Sequence, residues 1–471
     1  MIIRLHSVRA ALTLIVSLVS AMASVESAPT LPAALREKID AAAREVLGVT
    51  GVPSASIAVV LEAKLAYAQA YGDATVAPRR PAQPAMRYSI GSISKQFTAA
   101  AILLLAEDGK LSLDDPVSRF VPNLTRGAEV SIRQLLAHTS GYQDYWPQDY
   151  VPPFMLKEIT SDGILDWWAR KPLDFEPGTQ WQYSNTNYVI AGLIIEKVAG
   201  EPMLQFLQKH VFAPLAMTSV LNIDRETLGD TDATGYQRFA LGPPRVAPKE
   251  GKGWLFAAGE LAMPAVDLAR WDVSLLKQSL LKPASYREMT TDHRLKSGAE
   301  TRYGLGVSVG NVAGHRAWRH GGEVSGFTAD NVVLPDDQAA IIVLTNQDNA
   351  NAATQISERI VTLLFAKQAP AGSERVAHDR GLFEGLQQGK LDRALLTDNC
   401  SSYFSAEAMA DFASSLGRLG AAEEFKLVGQ SKRGGMTTRV YDIKFAKQTV
   451  QLVLREMPDG LVEQFQVAAK H

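Results

Sequence analysis

The stretch Tyr88-Ser-Ile-Gly-Ser-Ile-Ser-Lys-Gln-Phe-Thr98 decides how this chain is read. Ser92 is followed three residues later by Lys95, a spacing that puts both side chains on one face of the first turn of a helix. A serine hydroxyl is a poor nucleophile near neutral pH, and an amine whose pKa is lowered by burial can take its proton. Gly91 permits a tight turn just before the serine, and a helix N-terminus favours an anion forming there. Two further Ser-x-x-Lys tetrads, Ser274 to Lys277 and Ser279 to Lys282, lie in a leucine-rich segment and read as solvated helix faces. The tetrad alone therefore does not single out Ser92.

Downstream motifs do. Tyr183-Ser-Asn185 is the only Tyr-x-Asn in the chain, and a helical pattern follows it over 188–198. Its phenol can exchange protons with Ser92 if Lys95 lowers its pKa, and Asn185 can hold a substrate amide and fix the lysine. A packed tyrosine beside an Asx turn is the plain structural alternative. His320-Gly-Gly322 follows a strand pattern at 317–319, and its glycines would admit a substrate backbone to a sheet edge. Read alone, His320 is a turn histidine, since Lys249, Lys296 and Lys432 begin the same pattern.

Around these motifs, residues 31–47 read as an amphipathic helix and 56–61 and 64–71 as a hairpin. Residues 96–105 continue the helix begun at Ser92. Strand signals return at 306–309, 317–319, 327–334 and 339–345, and 352–366 read as a helix. The expected architecture is an antiparallel sheet flanked by helices with a helical insertion, its ligand cleft lying between the two parts. After the linker-like 367–374, two helical patterns and four strand candidates make 375–471 a small α+β accessory domain.

The 471 residues carry a net charge of −2 and are 46% hydrophobic, which favours neither nucleic acid nor an anionic membrane as partner. Arg4 and Arg9, the apolar run 10–19 and Ala21-Met22-Ala23 make 1–23 a signal peptide cleaved near Ser24, so a periplasmic or secreted protein is expected, with no stable membrane span after cleavage. Cys400 is the sole cysteine and forms no internal disulfide. The histidines show no metal-ligand spacing, so neither a metal nor another cofactor is expected.

The order Ser-x-x-Lys, Tyr-x-Asn, His-x-Gly resembles the penicillin-recognising serine hydrolases: class C β-lactamases, D-alanyl-D-alanine carboxypeptidases, D-aminopeptidases and related esterases. The resemblance spans about 31 to 366. Further stretches carry it: Leu135-Leu-Ala-His-Thr-Ser-Gly141, Glu176-Pro-Gly-Thr179, Asp267-Leu-Ala-Arg-Trp271 and His320-Gly-Gly-Glu-Val-Ser-Gly-Phe327. It implies the α/β plus all-α fold of the serine β-lactamases and DD-peptidases over 24–366. It also implies roles. Ser92 is acylated, Lys95 and Tyr183 share acid and base duty, and Asn185 positions lysine and substrate. His320, Gly321, Gly322 and Glu323 bind substrate, with the backbone N–H groups of Ser92 and Glu323 as the oxyanion hole. His138 reads as structural. His320 stands where β-lactamases carry lysine, which points to the peptidase and esterase branches. The expected function is an exported serine hydrolase working through an acyl-enzyme on D-amino-acid peptides, other small amides or esters, peptidoglycan fragments included. A class C-like β-lactamase and a slowly acylated penicillin-binding or sensor protein are the alternatives.

Overall fold

The computed structural model describes residues 30–146, 151–240, 242–365, 373–433 and 436–470. The expected leader, 1–23, and residues 367–372 of the expected linker lie outside them. Among the described residues no helix is long and apolar enough to cross a membrane.

A seven-stranded antiparallel sheet organises residues 54–345. Its strands are β1 (Ser54–Leu61), β2 (Lys64–Thr75), β3 (Arg80–Pro81), β4 (Ser308–Val312), β5 (His315–Val324), β6 (Phe327–Leu334) and β7 (Ala339–Thr345), in the order β3-β2-β1-β7-β6-β5-β4. The first hairpin and the later strands thus meet in one sheet as β1 pairs with β7, Ile57 opposite Val343. Both faces of these central strands are covered, which explains their almost unbroken apolar runs. Ala55, Ile57 and Val59 of β1 and Ile341 and Val343 of β7 face one core, closed by α1 (Ala33–Thr50) and the helix Ala352–Phe365. Their neighbours Ala58, Val60, Ile342 and Leu344 face the second and larger core, which holds α2 (Ser94–Glu107), α3 (Asn185–Ala199) and α4 (Ala265–Lys277).

Two local expectations are corrected. Ser92 does not open the α-helix: Gly91–Ile93 form a single 3₁₀ turn that runs into α2 at Ser94. His320-Gly-Gly322 is not a turn, because β5 continues through it to Val324. Gly322 serves close approach instead. A Cβ on Gly322 would stand 1.9 Å from the Ile90 carbonyl oxygen, and one on Gly91, whose φ is +49°, would stand 2.6 Å from the Glu323 nitrogen. Only backbone fits between the serine turn and the strand.

Residues 373–470 hold a third core built on Phe383, Tyr441, Leu452 and Phe465. The helices Ser373–Gln387, Asp398–Tyr403 and Ala406–Gly417 accompany an antiparallel meander of four strands, Glu424–Arg433, Met436–Lys444, Thr449–Glu456 and Val462–Lys470. This is the α+β content expected, although the first helix starts inside the span read as linker. Cys400 is buried here as a free thiol.

A buried polar chain fixes α2 to the sheet. Trp271 Nε1 on α4 donates to Gln96 Oε1 on α2 over 2.7 Å, Gln96 Nε2 donates to Asn331 Oδ1 on β6 over 3.1 Å, and Asn331 Nδ2 donates to Asp272 Oδ2 over 2.6 Å. Burial pushes the Asp272 carboxyl well above its ordinary range. Replacing Asn331 with Leu strands Gln96 and Asp272, and each stranded group is expected to cost about 1–3 kcal/mol. Urea unfolding followed by tryptophan fluorescence checks this; an unchanged midpoint would show that the chain carries no load.

Candidate active site

The site forms where the serine turn meets the outer edge of β5. β4 pairs with β5 only from His315 to Arg319, so residues 320–324 have no strand on that side, and the turn 91–93 packs there. The Ser92 side chain is half-buried, while Lys95, one turn on, is fully buried.

Lys95 is the hub. Its Nζ lies 2.6 Å from the Ala258 carbonyl, 2.7 Å from Asn185 Oδ1 and 3.0 Å from Ser92 Oγ. The rings of Tyr183 and Tyr188 face it with centroids at 5.1 and 5.4 Å. Burial pulls its pKa down to about 7, against the opposing field of Asp144. A neutral amine has two hydrogens and one lone pair. With both hydrogens on Ala258 and Asn185, the lone pair is left for Ser92.

Asn185 heads α3, and its orientation is fixed from behind. Its backbone N–H and Nδ2 both donate to Asp144 Oδ1, over 2.9 and 3.1 Å, which turns Oδ1 toward Lys95. Ser184, just before it, donates its backbone N–H to His138 Nδ1 over 3.1 Å. His138 is fully buried, sits at φ +58° and stacks on Tyr183 with centroids 4.3 Å apart. Burial and the Lys95 charge hold it well below its ordinary pKa. Its contacts tie it to the loop that carries Tyr183.

The Tyr183 hydroxyl is buried and makes no well-formed hydrogen bond. The expectation that Lys95 lowers its pKa fails: burial raises it, and Ser92 is the neighbour that pulls it down. Tyr183 keeps its proton at neutral pH, and the lysine is the stronger candidate for the base.

His320 is corrected in a second respect. It is buried, and burial and the Lys95 charge lower its pKa to about 4. Its Nδ1 lies 2.6 Å from the Gly321 carbonyl, which only accepts, so Nδ1 carries the hydrogen. Nε2, 2.8 Å from the Tyr303 hydroxyl, then accepts from it. Both ring nitrogens are engaged, and between pH 5 and 8 the ring offers no charge to a carboxylate. Gly321 and Glu323 are exposed and Gly322 is buried against Ile90. Glu323 accepts the Asn349 N–H at Oε1 over 2.6 Å, and its backbone N–H lies against the serine turn. A pocket of about 30 Å³ opens between Trp146, Asn185, Gly259, Glu323 and Val324.

The structure therefore brings together Ser92, Lys95, Tyr183, Asn185, His320 and the 321–323 backbone. Sequence reasoning missed three contributors. Asp144 lies three residues beyond the Leu135–Gly141 stretch, and its closeness to that motif is the one signal that could have found it. Tyr303 stands three residues before the strand signal at 306–309, with no motif around it to mark it. Ala258 acts through its carbonyl and leaves no side-chain signature. Ser274 is buried on α4, its Oγ donating to the Trp271 carbonyl over 2.7 Å, and Ser279 lies just past the end of that helix.

Comparison with known proteins agrees with this geometry. The sequence profile of the Beta-lactamase family matches residues 39–364. PbpX of Bacillus subtilis strain 168, named as a penicillin-binding protein, is 30% identical over 286 residues, covering 60% of this chain and 67% of PbpX. A D-stereospecific amidohydrolase from Streptomyces sp. superposes with a TM-score of 0.60 at 27% identity, covering 69% of this chain and 99% of that one. The octameric penicillin-binding protein homologue from Pyrococcus abyssi shares the fold with a TM-score of 0.62 at 20% identity, covering 92% of this chain and 99% of that one. The fold and site define a serine hydrolase that acts through an acyl-enzyme. The chain belongs to the Beta-lactamase family.

The lysine environment makes a test. Phosphonylation of the serine by a fluorophosphonate, with loss of fluoride, should rise with pH through about 7, as Lys95 loses its proton. Asp144→Ala removes the negative field that supports the ammonium, so the midpoint should move to lower pH and the plateau should fall as Asn185 loses its anchor. An unmoved midpoint would take Asp144 out of the lysine's field.

Proposed function

We propose that Ser92 is the nucleophile of a hydrolase acting on small amides and esters that carry no carboxylate on the leaving-group side, D-amino-acid amides and carboxylic esters above all. The observation that carries this reading is the buried Lys95 amine, its Nζ 3.0 Å from Ser92 Oγ, 2.7 Å from Asn185 Oδ1 and 2.6 Å from the Ala258 carbonyl.

Neutral Lys95 takes the Ser92 proton as Oγ bonds to the carbonyl carbon. The oxyanion is met by the backbone N–H groups of Ser92 and Glu323, donors of a kind worth roughly 10²–10³ in rate. When the tetrahedral intermediate collapses, the bond to the leaving amine or alcohol breaks. The proton held on Lys95 goes to that group, with the Tyr183 hydroxyl as relay. Water then attacks the ester on Ser92, Lys95 again takes the proton, and serine and free acid are restored.

The substrate side rests on His320. A permanent cation at this position would grip a substrate carboxylate, whereas the neutral imidazole here is spent on Gly321 and Tyr303. This favours uncharged leaving groups over C-terminal carboxylates and β-lactams. The likeness to a D-stereospecific amidohydrolase supports the amide half of the reading. We also propose export through cleavage near Ser24, and the division of the chain into a hydrolase part, 24–366, and an accessory part, 375–471. All the residues described around Ser92 precede 366.

Ser92→Ala should lower turnover by on the order of 10⁴- to 10⁶-fold. Intact mass after fluorophosphonate treatment should show one adduct, on Ser92; an adduct elsewhere overturns the assignment. Across p-nitrophenyl esters, D-amino-acid amides, D-alanyl-D-alanine peptides and nitrocefin, the first two should turn over fastest. Preference for nitrocefin would favour the β-lactamase alternative. A chain truncated after Phe365 should still be labelled at Ser92, and loss of labelling would make the accessory part necessary to the site.

A further inference from the structure

A cleft of about 600 Å³ lies at the end of β5, with Ser89, three residues before Ser92, in its wall. Val324, the last residue of β5, lines both this cleft and the small pocket bounded by Asn185 and Glu323. The cleft continues past Ser325 between Ser89, Thr234 and the segment 246–250. Glu250 stands in its wall. This side chain is only 6% exposed, and its Oε1 accepts the Ser325 backbone N–H over 2.8 Å. No cation among the described residues forms an ion pair with it.

The chemistry of the site gives the cleft a direction. The leaving group must lie where a proton can be delivered to it. Tyr183 stands at the His320 end of the β5 edge, its ring centroid 6.2 Å from the imidazole. The acyl part of a substrate therefore runs the other way, past Glu323 and Val324 toward Ser325. Ser325 is two residues past Glu323, on the turn that ends β5, so the two lie at most roughly 7 Å apart. A group that far up the acyl chain from the carbonyl meets Glu250.

We infer that the cleft is the acyl subsite and that Glu250 is a specificity residue, the receptor for an ammonium group carried on the acyl chain. The inference rests on Ser92 being the acylated residue. A buried carboxylate without a cation is a costly arrangement that a substrate ammonium would relieve. Other charges face the cleft or Glu250. Arg79 is held by Asp73, Arg80 by Thr75 and the Asp232 carbonyl, and Lys249 by the Glu226 carbonyl. Asp230 lines the cleft, Asp348 acts on Glu250 with like charge, and Lys249 acts on it with opposite charge without forming an ion pair. Burial raises the Glu250 pKa to about 7, so the receptor is charged above that pH and loses its charge below it.

The test compares p-nitrophenyl ε-aminocaproate with p-nitrophenyl caproate. The amine of the first stays protonated from pH 6 to 8, as a lysine amine does. The ratio of the two kcat/KM values cancels the titration of Lys95. In the wild type the ratio should favour the amino ester by on the order of 10- to 100-fold at pH 8, the scale of a charge-assisted hydrogen bond, and should shrink toward pH 6. Glu250→Gln keeps the acceptor for Ser325 and should bring the ratio near one at every pH, with caproate turnover and fluorophosphonate labelling of Ser92 unchanged. If this variant does not fold, the wild-type pH series decides by itself. A wild-type ratio near one, a ratio that survives Glu250→Gln, or preference for a carboxylate-bearing half-ester would each overturn the inference. Absence of a Ser92 adduct in the wild type would instead strike the hydrolase reading beneath it.

Discussion

The structure depends on the burial of one amine. In water a lysine is protonated at neutral pH and has no lone pair to offer. Buried beside two tyrosine rings, Lys95 titrates near 7. That environment is tolerable only if every hydrogen on the amine finds an acceptor. Two acceptors come from distant parts of the chain, a carbonyl at 258 and an amide at the head of α3, and Ser92, on the 3₁₀ turn that leads into α2, meets the lone pair. Each is fixed in turn. Asp144 holds Asn185, the Gln96–Asn331–Asp272 chain holds α2 on the sheet, and the backbone fit between Gly91 and Gly322 seats the serine turn against β5.

Much of this was legible in the sequence, for identifiable reasons. β6 and β7 fall at 327–334 and 339–345 as read, because their β-branched runs end at turn signals. β5 was cut short at Arg319, because His-Gly-Gly carries the same glycine signal as a turn. Gly322 is there for lack of a Cβ against Ile90, and glycine content alone does not separate the two causes. The motif residues were legible because side-chain chemistry at short spacing survives in one dimension. Ala258 contributes only backbone, and Asp144 acts through Asn185, 41 residues on. Neither relation has a local pattern.

Charge was the least legible property. Residue type gives an ordinary pKa, but burial moves it, and burial belongs to the fold. The same effect acts in opposite senses around Ser92. It makes Lys95 neutral enough to be a base, keeps Tyr183 protonated, holds His138 and His320 neutral, and raises the carboxyls of Glu250 and Glu260 to about 7 and about 8.

The neutrality of His320 also bears on the lysine. Like charges disfavour each other's ionised forms, and the Lys95 charge already depresses His320. A permanent cation at 320 would act back on Lys95 and push its pKa lower still, giving a weaker base that is neutral over a wider range of pH. The imidazole, engaged by Gly321 and Tyr303, removes that repulsion and leaves Lys95 titrating near 7, where base strength and the neutral fraction are balanced for catalysis at neutral pH. A neutral side chain at 320 thus spares Lys95 a repulsion while burial sets its pKa, so under the proposed reading substrate choice and proton transfer both depend on there being no permanent cation at that position.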